Sequence, residues 1–594
     1  MSQPNGFQDK VAFIWKVADK LRGHFKQHEY GSVMLPLLVL RRMDAVLAPT
    51  RERVRQVAAS FGDKQRGPGE ELLLRSTAGV PFYNLSPLDF RGILADPDNA
   101  ADNLWAYVNG LSPEAFDIVD RYDFAPKVAR MQAGGILYEV LSDFADLTID
   151  PAAVPNETMG LIFEELLRKF SEMSNETAGE HYTPREVVRL VVDLLLSGAA
   201  ADEIEGRTKP VRTVFDPAAG SGGMLSVAID RITELNATAI VQVYGQELNP
   251  ETWAIARSDL FFKGVDQSSE VALGNSLTQD AFRGQKFDYM LANPPYGVDW
   301  KAYAKPIQAE AASQGFAGRF GAGLPRVSDG SLLFLQHMIS KMKSGSRIGI
   351  VLSGSPLFSG AAGSGESEIR RWIIESDWLE GIVALPDQMF YNTGISTYVW
   401  VLTNAKPARR AGKVALVDGR EMFAKMRKSL GDKRKYLPDE AIDEIVRLYQ
   451  DLPDDPRVKV LPNEAFGFQR VTVERPQRSG DDEDAPVVMA KGKPVADSSL
   501  RDYENIPLPA GYLDMLDEQR TKALHEQAEE HLRTEIHPYV PDAWIDHAKT
   551  KVGYEIPFTR QFYVYTPPRP VEEIAAEIRG LESQIQEWMK GLGL

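Results

Sequence analysis

The chain of 594 residues contains no cysteine, which excludes disulfides, thiolate metal sites and cysteine nucleophiles together. Long apolar runs are also missing. The longest, VMLPLLVL at 33–40, is short and interrupted by a proline, so no segment is expected to cross a membrane. The opening MSQPNGFQDK lacks the basic-then-apolar order of a signal peptide, and a cytoplasmic location is expected. Histidine is scarce, and His181, one of eight, is not placed like a metal ligand; no catalytic metal is expected. Positive charge is in deficit, with 67 Lys and Arg against 84 Asp and Glu and a formal net charge of −17. Such a chain does not hold a polyanion by long-range attraction; local basic patches or a partner must do so. What is present is an ordinary globular composition, long enough for several domains.

Residues 1–165 read as an all-α N-terminal domain. FIWKVADKLRGHF and NLWAYVNGL carry apolar residues at helical spacing, VMLPLLVLRRMDAVL reads as a largely buried helix, and no strand alternation interrupts them. Over 166–475 the pattern changes to α/β. Short β-rich runs at 212–217, 239–247, 270–275, 287–295, 347–353, 378–386 and 397–404 alternate with helical segments. That order predicts parallel βαβ units in a doubly wound, Rossmann-like sheet. The last two runs, joined by a loop, are expected to pair antiparallel at one edge. A basic stretch follows at 425–436, KMRKSLGDKRKY, then a polar, acidic linker or loop over 476–500. Residues 501–594 read as a mostly helical tail. Its last helix places Val571, Ile574, Ile578, Leu581, Ile585 and Trp588 on one narrow seam.

The chemistry gathers where strands are expected to end. The first runs into DPAAGSGGML (216–225), whose glycines permit a sharp turn and close ligand approach, with a helix N-terminus behind them. The second ends at Glu247, suited to a ribose diol or, alternatively, a helix-start acid before Asn249–Pro250. Asn275 follows the third and suits an adenine ring or a plain turn. The fourth ends in LANPPYG (291–297), where two prolines stop the ladder and hold Asn293 and Tyr296 at a stiff tip. Four polar strand tips along the carboxyl edge mark the ligand side of an open α/β sheet.

DPAAGSGG followed some 70 residues later by NPPY resembles the S-adenosylmethionine-dependent amino-methyltransferases. AGEHYTPREVVRLVVDLL (178–195), lying before the glycine motif, resembles the cofactor motif of the γ-ordered N6-adenine DNA methyltransferases. GLIFEELLRKFSE, DGSLLFLQHMI, LEGIVALPDQMFYNTGISTYVWVLTN and GYEIPFTRQFYVYTPPRPVEEI are similar to the methylation subunit of type I restriction-modification systems.

The resemblance implies S-adenosyl-L-methionine as cofactor. Glu180, His181, Tyr182, Thr183 and Pro184 would border its methionine part with Asp216, Ala218, Gly220, Ser221 and Gly222. Glu247 would hold the ribose, and Asn275 and Asn293 would complete the cofactor contacts. Thr183–Pro184 also reads as a helix cap with proline at the first helical position. Catalysis would fall to Asn293, Pro294, Pro295 and Tyr296. The Asn293 side-chain oxygen and the Pro294 carbonyl would grip the hydrogens of an adenine amine. The base would be flipped out of duplex DNA and stacked on Tyr296, with Phe390 closing from another side or else packing in the core. The same chemistry on protein amides or ribosomal RNA, or a non-catalytic scaffold, are the rival readings.

Between the NPPY strand and FYNTGIST lie fewer than 100 residues, too few for a recognition module besides the sheet and helices. Sequence recognition is therefore expected on another chain; the resemblance implies a specificity subunit, one for two copies of this chain, with a restriction subunit in the full complex. The seam at 571–588 would dock on the specificity subunit, or else on this chain's own core. Lys428, Lys433, Arg434 and Lys435 would contact phosphate, or else lie on a solvated helix.

Overall fold

The computed structural model describes residues 7–62, 66–174, 183–263, 270–391, 393–480, 485–565 and 569–591. Two compact units emerge, 1–556 and 557–594.

The described residues up to 174 are mainly helical, as their periodicity predicts. At their centre Tyr30–Leu47 is buried on nearly every side. Within it the buried guanidinium of Arg42 donates to the Val154 carbonyl (2.8 Å) and the Asn156 side chain (2.6 Å). A guanidinium can be buried only when carbonyls and amides replace its water. Phe82 packs on Phe261 and Phe262, joining this region to helix Pro250–Phe262 beside the sheet.

The sheet strands, in chain order, are β1 (Val211–Asp216), β2 (Ile240–Glu247), β3 (Glu270–Leu273), β4 (Phe287–Ala292), β5 (Met342–Ser353), β6 (Leu379–Ala384), β7 (Thr397–Thr403) and β8 (Lys413–Asp418). A hairpin of β9 (Ala424–Leu430) and β10 (Lys433–Tyr436) precedes β11 (Val458–Pro462). The sheet order is β11-β8-β6-β7-β5-β4-β1-β2-β3. β1 lies between β2 and β4 with all three parallel, so the chain leaves it in opposite directions on its two sides. Helix Arg185–Leu195 packs on β5, where Val191 and Leu195 come so close to Gly349 that no side chain would fit there.

Three expectations need correction. β6 and β7 do pair antiparallel, but not at an edge: β7 sits between β5 and β6, with β8 and β11 beyond. Every residue of β6 and β7 is buried, which their near-continuous apolar character already implied. The basic stretch 425–436 is a β-hairpin rather than a helix, turning at Gly431 with φ +58°. The tail from 501 is helical at Asp517–His531 and Val571–Gly591, yet Asp502–Pro507, Trp544–Ile545 and Lys551–Tyr554 are strands. They pair with Gly467–Glu474 in a second, four-stranded sheet. The short runs ENIP and KVGY carry too few apolar residues to show alternation; their partner, FQRVTVE, is what orders them. This sheet is fixed to helix Gly365–Glu375 by the buried Arg370, which donates to the carbonyls of Tyr554 (2.6 Å) and Pro356 (2.9 Å).

Candidate active site

β4, β1, β2 and β3 are neighbours, so their carboxyl ends place Asn293, Asp216, Glu247 and Asn275 in a row along one edge. β4 stops at Ala292 because Pro294 and Pro295 have no N–H for the ladder. Gly297, at φ +66°, turns the chain away after Tyr296. A cavity at this edge is lined by Thr183, Asp216, Ala218, Gly220, Ser221 and Asn293. Asn293 and the glycine turn therefore share one space, 70 residues apart in sequence.

Asn293 is held at both ends of its amide. Its Nδ2 donates to Thr183 Oγ1 at 2.8 Å, and its Oδ1 accepts from the Tyr296 hydroxyl at 2.7 Å. In this arrangement Oδ1 lies toward Tyr296 and Nδ2 toward Thr183. Burial raises the Tyr296 phenol, which the hydrogen bond to Asn293 only partly opposes, so it stays neutral and donates. The cap expected of Thr183 is absent for this reason: the helix begins at Arg185, Pro184 stands before its first residue, and the Thr183 side chain faces Asn293 instead. Glu180, His181 and Tyr182 lie outside the described residues.

At the glycine turn, Gly220 (φ +53°) has open space where a Cβ would stand. Gly222 (φ +80°) opens helix Gly223–Leu235, and a Cβ there would meet that of Ala256 at 3.2 Å. Glu247 braces the turn: one carboxylate oxygen accepts from the Gly220 N–H and the other from the Asn249 N–H, both at 2.8 Å. Asn249, not Glu247, caps the next helix, accepting from the N–H groups of Glu251 and Thr252. Asn275 does form a turn, its Oδ1 accepting from Leu277 N–H at 2.9 Å. Burial pushes the Asp216 carboxyl up to about 8; the Ala218 N–H opposes this and the Glu247 charge adds to it.

Phe390, from the loop after β6, reaches Tyr296 at the tip of β4: the rings meet edge to face, centroids 6.3 Å apart at 86°. Both rings are buried. Arg185, Val188 and Met224 also line the cavity and were not anticipated. Arg185 directly follows Thr183–Pro184, so its place beside the motif was the available signal.

Of the basic residues expected to meet phosphate, Lys428 and Arg434 are exposed on the hairpin, as are Lys425 and Arg427. Lys435 is paired with Asp387 and lies over the Phe423 ring. Lys433 is buried against Glu186 and the Met389 carbonyl, so it is not a surface cation. The strand alternation that exposes its neighbours turns it inward.

A sheet reversing direction at β1, with a glycine turn there, an acid at β2 and Asn-Pro-Pro-Tyr at β4 around one cavity, defines an S-adenosylmethionine-dependent amino-methyltransferase. The N-6 DNA methylase family model matches residues 155–466, and that of the HsdM N-terminal domain matches 11–144. The chain belongs to the N-6 DNA methylase family. It is similar to the type I restriction enzyme MjaIX methylase subunit of Methanocaldococcus jannaschii, 27% identical over 79% of this chain and 81% of that one. It is also similar to the EcoKI methylase subunit of Escherichia coli, at 24% over 67% and 68% of the two chains. Among solved structures, the type I methyltransferase subunit from Streptococcus thermophilus shares the fold with a TM-score of 0.60 at 22% identity, covering 77% of this chain and 97% of that one.

The cavity suits this cofactor: the glycine turn leaves room beside Gly220, and the buried Asp216 carboxyl lines it. A positively charged ligand favours ionised Asp216, so binding S-adenosylmethionine at pH 7 is expected to release most of one proton. At pH 9 the release should vanish, because the free site is then already ionised. Affinity should rise by up to about tenfold per pH unit from below toward pH 8. Calorimetry in buffers of different ionisation enthalpy counts the proton, and Asp216→Asn should abolish the dependence.

Proposed function

We propose that this chain is the modification subunit of a type I restriction-modification complex. It would methylate N6 of an adenine rotated out of the duplex, working as two copies with one specificity subunit and joined by a restriction subunit in the full complex. The observation that supports this most strongly is Asn293, lining the cofactor cavity with its amide oriented by Thr183 and Tyr296.

An exocyclic adenine amine is a weak nucleophile because its lone pair is delocalised into the ring. Asn293 Oδ1 and the Pro294 carbonyl accept its two hydrogens, favouring a tetrahedral nitrogen whose lone pair points into the cavity. Bound S-adenosylmethionine supplies an electrophilic methyl there. Pro295 stiffens the turn, and orientation of the two reactants accounts for much of the acceleration. The paired Tyr296 and Phe390 rings supply the walls for the base, worth ~1–3 kcal/mol per stacked base. Thr183, Pro184, Asp216, Ala218, Gly220, Ser221 and Gly222 border the methionine part. Glu247 takes the ribose, and Asn275 lies on the adenine side. The exposed cations of β9–β10 meet phosphate, while the chain's acidity leaves the grip on the duplex to the partner.

The apolar seam of Val571–Gly591 supports a docked partner: Ile574, Ile578, Leu581, Ile585 and Trp588 are all exposed along one face. With genomic DNA and labelled S-adenosylmethionine, the chain together with its specificity subunit is expected to transfer label. Alone it should transfer at least about a hundredfold less. Equal transfer by the chain alone contradicts the borrowed recognition.

A further inference from the structure

Lys433 has no place in the chemistry above, yet its side chain is 4% exposed and its partner Glu186 19%. Burying an ammonium costs free energy unless it is paired and hydrogen-bonded. Here it is both: Nζ donates to the Glu186 carboxylate and, at 2.8 Å, to the Met389 carbonyl, and it lies 5.6 Å from the centre of the Tyr391 ring. The two acceptors belong to different parts of the site. Glu186 is in the first turn of the helix that follows Thr183, the residue that orients Asn293. Met389 precedes Phe390, the ring packed on Tyr296.

The loop around Phe390 is tied to the basic hairpin at further points. The Gln388 carbonyl accepts from Arg434 N–H at 3.0 Å, and the Tyr391 carbonyl from Asp432 N–H at 2.7 Å. Gln388 itself has φ +57°, a left-handed conformation that costs a side-chain-bearing residue roughly 1–2 kcal/mol. A strained residue beside a functional ring persists only when its surroundings fix it.

We propose that Lys433 is a positioning residue of the target-base pocket: its ammonium locks the phosphate-facing hairpin and the Phe390 loop to the helix that begins at the cofactor site, so that the three move as one body. Contact of the hairpin with the DNA backbone and placement of the aromatic wall are then a single event. This rests on the reading of Phe390 as a wall for the base. Burial lowers the Lys433 ammonium and Glu186 opposes that, in keeping with a pair that depends on both members.

The test uses the complex reconstituted with the specificity subunit and genomic DNA. Lys433→Met and Glu186→Gln, each removing one end of the clamp, are expected to lower kcat/KM for DNA by about ten- to a hundredfold. The Kd for S-adenosylmethionine should stay within about twofold, and the exchange Lys433→Glu with Glu186→Lys should restore part of the loss. Phe390→Ala, measured beside them, separates the two layers. Normal activity of Lys433→Met with a strongly impaired Phe390→Ala overturns the clamp alone. Normal activity of Phe390→Ala overturns the wall, and the clamp with it. Loss of thermal stability and cofactor binding together in both clamp variants shows a purely structural pair and also overturns the proposal.

Discussion

Asn293→Ala is expected to reduce methyl transfer by on the order of a thousandfold or more in the assembled complex. The substitution deletes Oδ1, one of two acceptors for the amine hydrogens, and leaves only the Pro294 carbonyl. It also removes the acceptor of the 2.7 Å hydrogen bond from the Tyr296 hydroxyl. The cofactor cavity keeps its other walls, so the Kd for S-adenosylmethionine should change by less than about threefold. Parallel binding and turnover measurements check both halves. Thr183→Val refines the interpretation: it keeps Oδ1 but removes the acceptor for Nδ2, 2.8 Å away, and should give a smaller loss. Near-normal turnover of Asn293→Ala would mean that the amine is held by other atoms.

Ile578→Asp combined with Leu581→Asp is expected to abolish assembly while sparing the isolated chain. Both residues are about half exposed, on a helix of 21 residues whose apolar positions repeat every three or four. At about 1.5 Å per residue the stripe runs roughly 30 Å, enough for several turns of a partner helix. A carboxylate in the middle of such a seam must be desolvated without a partner on docking. Two of them should weaken association by at least about a hundredfold, and methylation should fall with it. Sedimentation with the specificity subunit measures the first effect, and cofactor titration of the variant shows that the catalytic unit is intact. Unchanged assembly would place the docking surface elsewhere.

Much of the sheet was legible because buried parallel strands leave short apolar runs at regular intervals, and all seven predicted runs are strands. Their order along the sheet was not. Nothing in DWLEGIVALP or TYVWVLTN says that the second inserts between β5 and the first; that is decided by packing on both faces. The site was legible at its tips, since Asp-Pro, the glycines and Asn-Pro-Pro-Tyr each leave a local mark. Their internal wiring was hidden. Thr183 reads equally well as a helix cap, and its contact with Asn293 spans 110 residues. Lys433 sits among five other Lys and Arg residues of 425–436, and composition alone gives no reason to separate it from them. The two-residue alternation of β10 does, but only once the segment is known to be a strand. The second sheet escaped because its strands are short and polar, and their order comes from Gly467–Glu474 rather than from themselves.

The most direct test of the account is to identify the methylated base. DNA incubated with the assembled complex and labelled S-adenosylmethionine is digested to nucleosides and separated. The account predicts that the label is in N6-methyladenine, that it requires the specificity subunit, and that Asn293→Ala removes it. Label in another base, or in protein or RNA with none in DNA, would contradict the assignment of Asn293 and Pro294 to an adenine amine.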